Sequence, residues 1–215
     1  MTRRLEGRPV VYCVTDRTRL PNSSIAALVE HVRTVVHAGV DAVQVRERDL
    51  DDRTLTDLVR AAVDAARDRR VSILVNDRVD VALAAGADGV HLREDSIAAG
   101  RIRSLVPEGF VIGRSVHSAA DAENVERAGG CDYLVFGTVY PSRGKPDRAA
   151  AGEEALADVC RRVTLPVLAI GGVDESRAAM LATTGAAGFA AIGAFIADDV
   201  RMLAERVRAM RRSFD

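Results

Sequence analysis

Two groups of residues carry the chemistry, and the first is cationic. Arg46, Arg48 and Lys145 stand among the polar residues that end or follow short apolar runs. Guanidinium groups clamp phosphate oxygens with paired hydrogen bonds, and an ammonium group adds a compact charge. Asn76 and Asp77 end another such run. Asp77 offers a hard carboxylate oxygen of the kind Mg2+ shares with substrate phosphates. The second group is built on glycine. Gly171-Gly172 and Ile192-Gly193-Ala194 end the last two apolar runs. Glycines at such positions let phosphate oxygens approach backbone N–H groups, so a phosphate is expected between these two segments. Taken singly, the same residues have a plainer reading: Arg46 and Glu47 as a salt-bridged framework pair, Asp77 as a helix cap.

These residues need a frame. Apolar runs over 9–16, 41–47, 71–77, 89–92, 110–115, 133–138, 165–171 and 188–195 read as strands buried on both faces. Helical patterns separate them. The first is capped by Ser24, places Ile25, Leu28, Val29, Val32, Val35 and Val36 on one side, and stops at Gly39. Others are expected over 53–69, up to 85, and near 97–105, 119–128, 152–163, 174–184 and 199–211. About eight strand–helix units in 215 residues favour one (β/α)8 barrel, a single domain over 1–215. The active site of such a barrel lies at the C-terminal ends of its strands. Alternation along the second strand turns Gln44, Arg46 and Arg48 to one side.

Composition narrows the function. Hydrophobic residues make up 48% and charged residues 28%, which excludes a disordered chain. A net charge of -1 argues against a broad nucleic-acid surface. No apolar run reaches the roughly 20 residues of a membrane helix, and none after Arg3-Arg4 has signal-peptide form. Cys13, Cys131 and Cys160 have no metal spacing and read as reduced thiols of a cytoplasmic protein. The expected partners are phosphorylated small molecules, with no nucleic acid and no membrane; a homo-oligomer stays open.

Six motifs then occur in order at the strand ends: Gln44-Val45-Arg46-Glu47-Arg48, Val75-Asn76-Asp77, Ala87-Asp88-Gly89-Val90-His91, Gly113-Arg114-Ser115-Val116-His117, Gly137-Thr138-Val139-Tyr140-Pro141 and Ala169-Ile170-Gly171-Gly172. Together they resemble the thiamine phosphate synthases and their thiazole tautomerase relatives, over about residues 10–195. The resemblance implies a Mg2+-dependent transferase that joins an aminopyrimidine diphosphate to a thiazole phosphate and releases pyrophosphate. It assigns Arg46, Arg48, Asn76 and Lys145 to the diphosphate and Asp77 to the metal. Gln44 and Ser115 would orient the pyrimidine, with Ser115 counted among the catalytic residues. Ser142, Gly172, Ile192 and Gly193 would hold the thiazole phosphate, and the loop 141–152 would close over the site.

The chain departs from the synthase pattern at three places. Arg48 replaces a Lys, Ser96 stands where a second metal-binding Asp is usual, with Asp95 beside it as a substitute, and Gly144 replaces a Thr. The tautomerase branch is the alternative, supported by Arg46-Glu47-Arg48, Val79-Asp80-Val81-Ala82-Leu83 and Ile112-Gly113-Arg114-Ser115-Val116-His117-Ser118. That branch carries a proton-transferring His where this chain has Thr138. A non-catalytic phosphate-binding relative is the third reading. His117 is expected as a packed strand-end residue that orients Ser115, His91 as similar, and His31 and His37 as remote from the site.

Overall fold

Apolar runs of four to six residues joined by amphipathic helices have one economical arrangement: strands inside, helices around them. The computed structural model describes residues 9–142, 149–196 and 199–214 and has this form. Its strands are β1 (Val10–Val14), β2 (Ala42–Val45), β3 (Ser72–Asn76), β4 (Gly89–Leu92), β5 (Val111–Val116), β6 (Tyr133–Gly137), β7 (Val167–Ile170) and β8 (Gly188–Ala191). They form a closed barrel in chain order, and every pairing is parallel, including β1 with β8. The helices are α1 (Ile25–Ala38), α2 (Asp52–Ala66), α3 (Val79–Ala85), α4 (Ala99–Arg103), α5 (Ala119–Ala128), α6 (Gly152–Arg162), α7 (Glu175–Ala182) and α8 (Val200–Arg212). The expected (β/α)8 barrel is the observed fold.

Alternation along each strand divides the core in two. Val11, Cys13, Val43, Ile73 and Val75 pack outward against the helices, in the larger cluster. Val10, Tyr12, Val14, Leu74, Tyr133, Val135 and Leu168 fill the barrel interior. The helices are fixed by local chemistry. Ser24, Asp51, Ser118, Asp174 and Asp199 each accept a backbone N–H as N-caps, and Gly39 ends α1 in the left-handed region at φ 93°.

The barrel floor repeats one device. Asp41, Asp88 and Asp132 precede β2, β4 and β6, and each accepts the N–H of a residue on the preceding strand. Those acceptor distances are 2.8, 2.8 and 2.7 Å, to Val11, Ile73 and Ile112. Arg211 and Arg103 neutralise Asp41 and Asp132 at 2.9 and 2.6 Å. These contacts belong to the stabilising face, opposite the strand ends that carry chemistry.

Two boundaries differ from the sequence reading. The apolar run 188–195 is not one strand: β8 ends at Ala191, and Gly193–Phe195 is a 3-10 turn that buries Phe195 among the helices. β2 ends at Val45, so Arg46, Glu47 and Arg48 leave the ladder. Among the described residues no helix is long and apolar enough to cross a membrane.

Candidate active site

The strand ends after β2, β3 and β4 meet in a cationic corner. Arg46 is held by its backbone N–H on Thr15 Oγ1 at 3.0 Å, and Thr15 in turn donates to Glu47 Oε1 at 2.7 Å. Glu47 is buried and pairs with Arg17 at 3.1 Å, so its partner is not Arg46. This pairing ties the loop after β1 to the loop after β2. Burial, followed by the neighbouring Arg48 charge, lowers the Arg46 pKa; Asp16 and Glu47 oppose the shift, and Arg93 adds a smaller push downward. Mutual repulsion among cations in a half-buried corner is relieved by an anion. Arg48 lies on the following turn and is exposed rather than continuing the inward row. Arg93 is not among the residues the sequence motifs single out, although the inward row Gly89, His91 points to it by alternation.

Asp77 stands beside this corner. It is left-handed at φ 63°, a conformation Asp tolerates better than most residues, and its N–H donates to the His91 carbonyl at 2.9 Å. It does not cap α3, whose N-cap is Arg78. Its carboxylate accepts the Ser96 hydroxyl and faces the Arg93 guanidinium at 3.9 Å. Ser96 therefore occupies the place expected of a second ligand. Asp95 pairs with Arg93 at 2.5 Å and is 67% exposed. Arg114 grips the carbonyls of Glu94, Ser96 and Ile97 at 2.7, 2.8 and 3.0 Å and so fixes the loop that carries Ser96. Among the described residues no cluster of three or more His, Cys, Asp or Glu is arranged for a metal. Asp77 and Ser96 offer two hard oxygens and one charge, a donor set that fits Mg2+ only when substrate oxygens fill the remaining positions.

Below this corner a line of polar side chains runs through the otherwise apolar barrel interior. Gln44 Nε2 donates to Asn76 Oδ1 at 3.0 Å, and Tyr12 donates to Gln44 Oε1 at 3.3 Å. The Tyr12 and Tyr133 hydroxyls are 3.0 Å apart. His91 contacts Tyr133 through Nδ1 at 3.0 Å and Ser115 through Nε2 at 2.9 Å. A methyl group at Gly113 would fall within the Tyr133 ring, so glycine is required there. Burial, with the Arg114 and Arg46 charges adding, pushes the His91 pKa down to about 3. Burial raises both tyrosine pKa values. His91 is therefore the residue that orients Ser115. His117, expected in that role, instead contacts the Gly137 carbonyl and sits 3.3 Å from Glu94.

The other end of the mouth follows β6, β7 and β8. Gly171 and Gly172 have φ of 104° and 63°. A Cβ on Gly172 would strike the Pro141 carbonyl and Tyr140 Cβ, so this turn needs glycine to pack on the loop after β6. Arg177 lies 4.8 Å above the Tyr140 ring and donates to the Gly172 carbonyl, while Tyr140 donates to Glu153 at 2.8 Å. Ser142 follows Pro141 and is half-buried, Ile192 packs on the inner cluster, and Gly193 is exposed. A methyl on Gly193 would lie 3.4 Å from Arg19 Nη1. Arg19 thus brings a cation to the glycine end, and nothing in the sequence around it announced that. Lys145 lies outside the described residues.

The family model for thiamine monophosphate synthase matches residues 11–195. The chain belongs to this family. It is 42% identical over 205 residues to a Geobacter sulfurreducens homologue provisionally named as a thiamine-phosphate synthase, covering 93% of this chain and 92% of that one. Identity to the thiamine-phosphate synthase of Roseiflexus castenholzii is 37% over 191 residues, covering 88% and 82%. The solved structure of thiamine phosphate pyrophosphorylase from Pyrococcus furiosus superposes with a TM-score of 0.82 at 33% identity, covering 94% and 95%. Membership accounts for the ordered motifs, and the site geometry bears on which of the family's activities this chain performs.

Proposed function

We propose that the protein is a thiamine phosphate synthase that joins an aminopyrimidine diphosphate to a thiazole phosphate. One observation carries this reading within the family: the mouth has a cationic corner at one side and glycine turns beside Arg19 at the other. In the closed order, β3 lies four strands from β7. The corner of Arg46, Arg48, Arg93 and Asn76 suits a diphosphate on one side. The turns at Gly171-Gly172 and Ile192-Gly193, with Ser142 and Arg19, suit a monophosphate on the other. A reaction with one phosphorylated substrate needs only one end. The tautomerase reading is further weakened at Thr138, which is buried and is a poor general base near neutral pH.

In the proposed reaction the bond between the pyrimidine methylene carbon and the diphosphate oxygen breaks, and its electron pair leaves with pyrophosphate. The thiazole nitrogen lone pair then forms the new C–N bond. Arg46, Arg48 and Asn76 bind the departing charge, and Lys145 is assigned to the same task. Gln44 and Ser115 hold the pyrimidine ring. Asp77 and Ser96 would hold Mg2+, which when bound spreads the negative charge of the leaving diphosphate. The proposed setting is the cytoplasm.

The test is a titration of inorganic pyrophosphate by calorimetry, with and without Mg2+, on wild type and Asp77→Asn. Pyrophosphate should bind more tightly with Mg2+, and Asp77→Asn should remove that gain. Affinity indifferent to both Mg2+ and the substitution would overturn the assignment.

A further inference from the structure

Six side chains form one unbroken line of hydrogen bonds through the barrel: Asn76, Gln44, Tyr12, Tyr133, His91 and Ser115. Successive separations are 3.0, 3.3, 3.0, 3.0 and 2.9 Å. Counting hydrogens gives the line a direction. A phenol has one hydrogen, and a neutral imidazole has one N–H. Tyr12 commits its hydrogen to Gln44 Oε1. The contact between the phenols must then run from Tyr133 to Tyr12. Tyr133 has no hydrogen left for His91, so His91 Nδ1–H donates to the Tyr133 oxygen. His91 Nε2 is left bare and accepts the Ser115 hydroxyl. Three groups remain for a ligand: the Asn76 Nδ2 hydrogens at one end, the second Gln44 Nε2 hydrogen beside them, and the Ser115 Oγ lone pairs at the other end.

We propose that this relay makes Ser115 an acceptor-only contact that selects a substrate N–H, the amino group of the pyrimidine, with Tyr12, Tyr133 and His91 as positioning residues. The inference rests on the synthase reading for the identity of the ring. It also couples the two ends of the line. Reversing it requires both amides to flip and every hydrogen to move. Asn76 would then turn Oδ1 toward the diphosphate, oxygen against oxygen. A bound diphosphate therefore holds Ser115 in its acceptor state. A pyrimidine with an oxo group in place of the amino group would set lone pair against lone pair and be rejected. Sites built for a specific donor reject analogues lacking it by roughly 10⁴-fold.

The first measurement is the tautomer of His91 in the ligand-free protein, by nitrogen NMR of the labelled imidazole at neutral pH. The expected result is a protonated Nδ1 and a bare Nε2. A protonated Nε2 would overturn the relay. The second measurement compares binding of the aminopyrimidine diphosphate and its oxo analogue to wild type and Tyr133→Phe. Removing the phenol oxygen leaves Nδ1–H without an acceptor. The proton should move to Nε2, Ser115 should become a donor, and the preference for the amino compound should fall at least about ten-fold. Tyr12→Phe frees the Tyr133 hydrogen to donate to Nδ1 and should do the same, which covers a misfolded Tyr133 variant. A shifted tautomer with unchanged preference would overturn the role of Ser115. If neither diphosphate binds, the synthase reading and the amino contact fail, while the tautomer still decides the relay.

Discussion

Lowering the pH from 8 to 5 should cost the folded protein about 2 kcal/mol through His91 alone. In the fold, burial holds this imidazole near a pKa of about 3. In the unfolded chain it titrates near about 6.5. The unfolded state therefore takes up the proton first. The contribution is fully present above about 6.5 and is lost as pH falls toward 3, because the unfolded state binds more protons throughout that window. At pH 5 the gap already spans about 1.5 pH units, at about 1.4 kcal/mol each. Burial lowers the His31 pKa too and adds in the same direction. Urea unfolding followed by circular dichroism at pH 8, 6 and 5 measures the total, and His91→Gln isolates the part due to His91. The variant should start less stable but lose about 2 kcal/mol less over the interval. Parallel pH dependences for the two proteins would show that His91 ionises in the fold as it does in water.

Three further outcomes follow from the geometry. Arg19→Ala should raise KM for the thiazole phosphate about ten-fold and leave KM for the pyrimidine diphosphate unchanged, measured by varying each substrate in turn. Gly172→Ala should lower stability by about 2 kcal/mol in urea unfolding, since it forces a Cβ onto the Pro141 carbonyl at a positive φ. Asp132→Ala should cost about 2 kcal/mol, because it strands the Ile112 N–H and removes the Arg103 counter-charge while Arg103 keeps its bonds to the Phe110 and Gly130 carbonyls, with kcat of the surviving folded enzyme unchanged.

The barrel was readable because strands buried on both faces must be continuously apolar, and several of these runs are bounded by capping residues or glycines such as Gly39, Asp51 and Ser118. That signal fails at 192–195, where the run stays apolar but the chain leaves the sheet. Apolar composition reports the burial of Phe195 and says nothing of whether a strand or a 3-10 turn buries it. The cationic corner was partly readable, since Asn76 ends its strand and Arg46 and Asp77 directly follow theirs. The interior relay was not. Tyr12 and Tyr133 read as ordinary strand residues, and they meet across 121 positions only because the barrel closes. Ser115 was visible while its partner was misassigned, because His117 is near in sequence and His91 is near in space. Arg19 sits in a loop whose position depends on the Arg17–Glu47 pair, a contact between loops that local patterning does not encode.

The most direct test of the synthase reading is a single-turnover reaction of the full-length protein with aminopyrimidine diphosphate, thiazole phosphate and Mg2+. Pyrophosphate release and thiamine phosphate, made fluorescent by oxidation, are followed together. The expected result is one pyrophosphate for each thiamine phosphate, with neither product formed when the thiazole phosphate or Mg2+ is omitted. Saturable binding of both phosphorylated compounds without any thiamine phosphate would contradict the synthase reading and leave a phosphate-binding relative in its place.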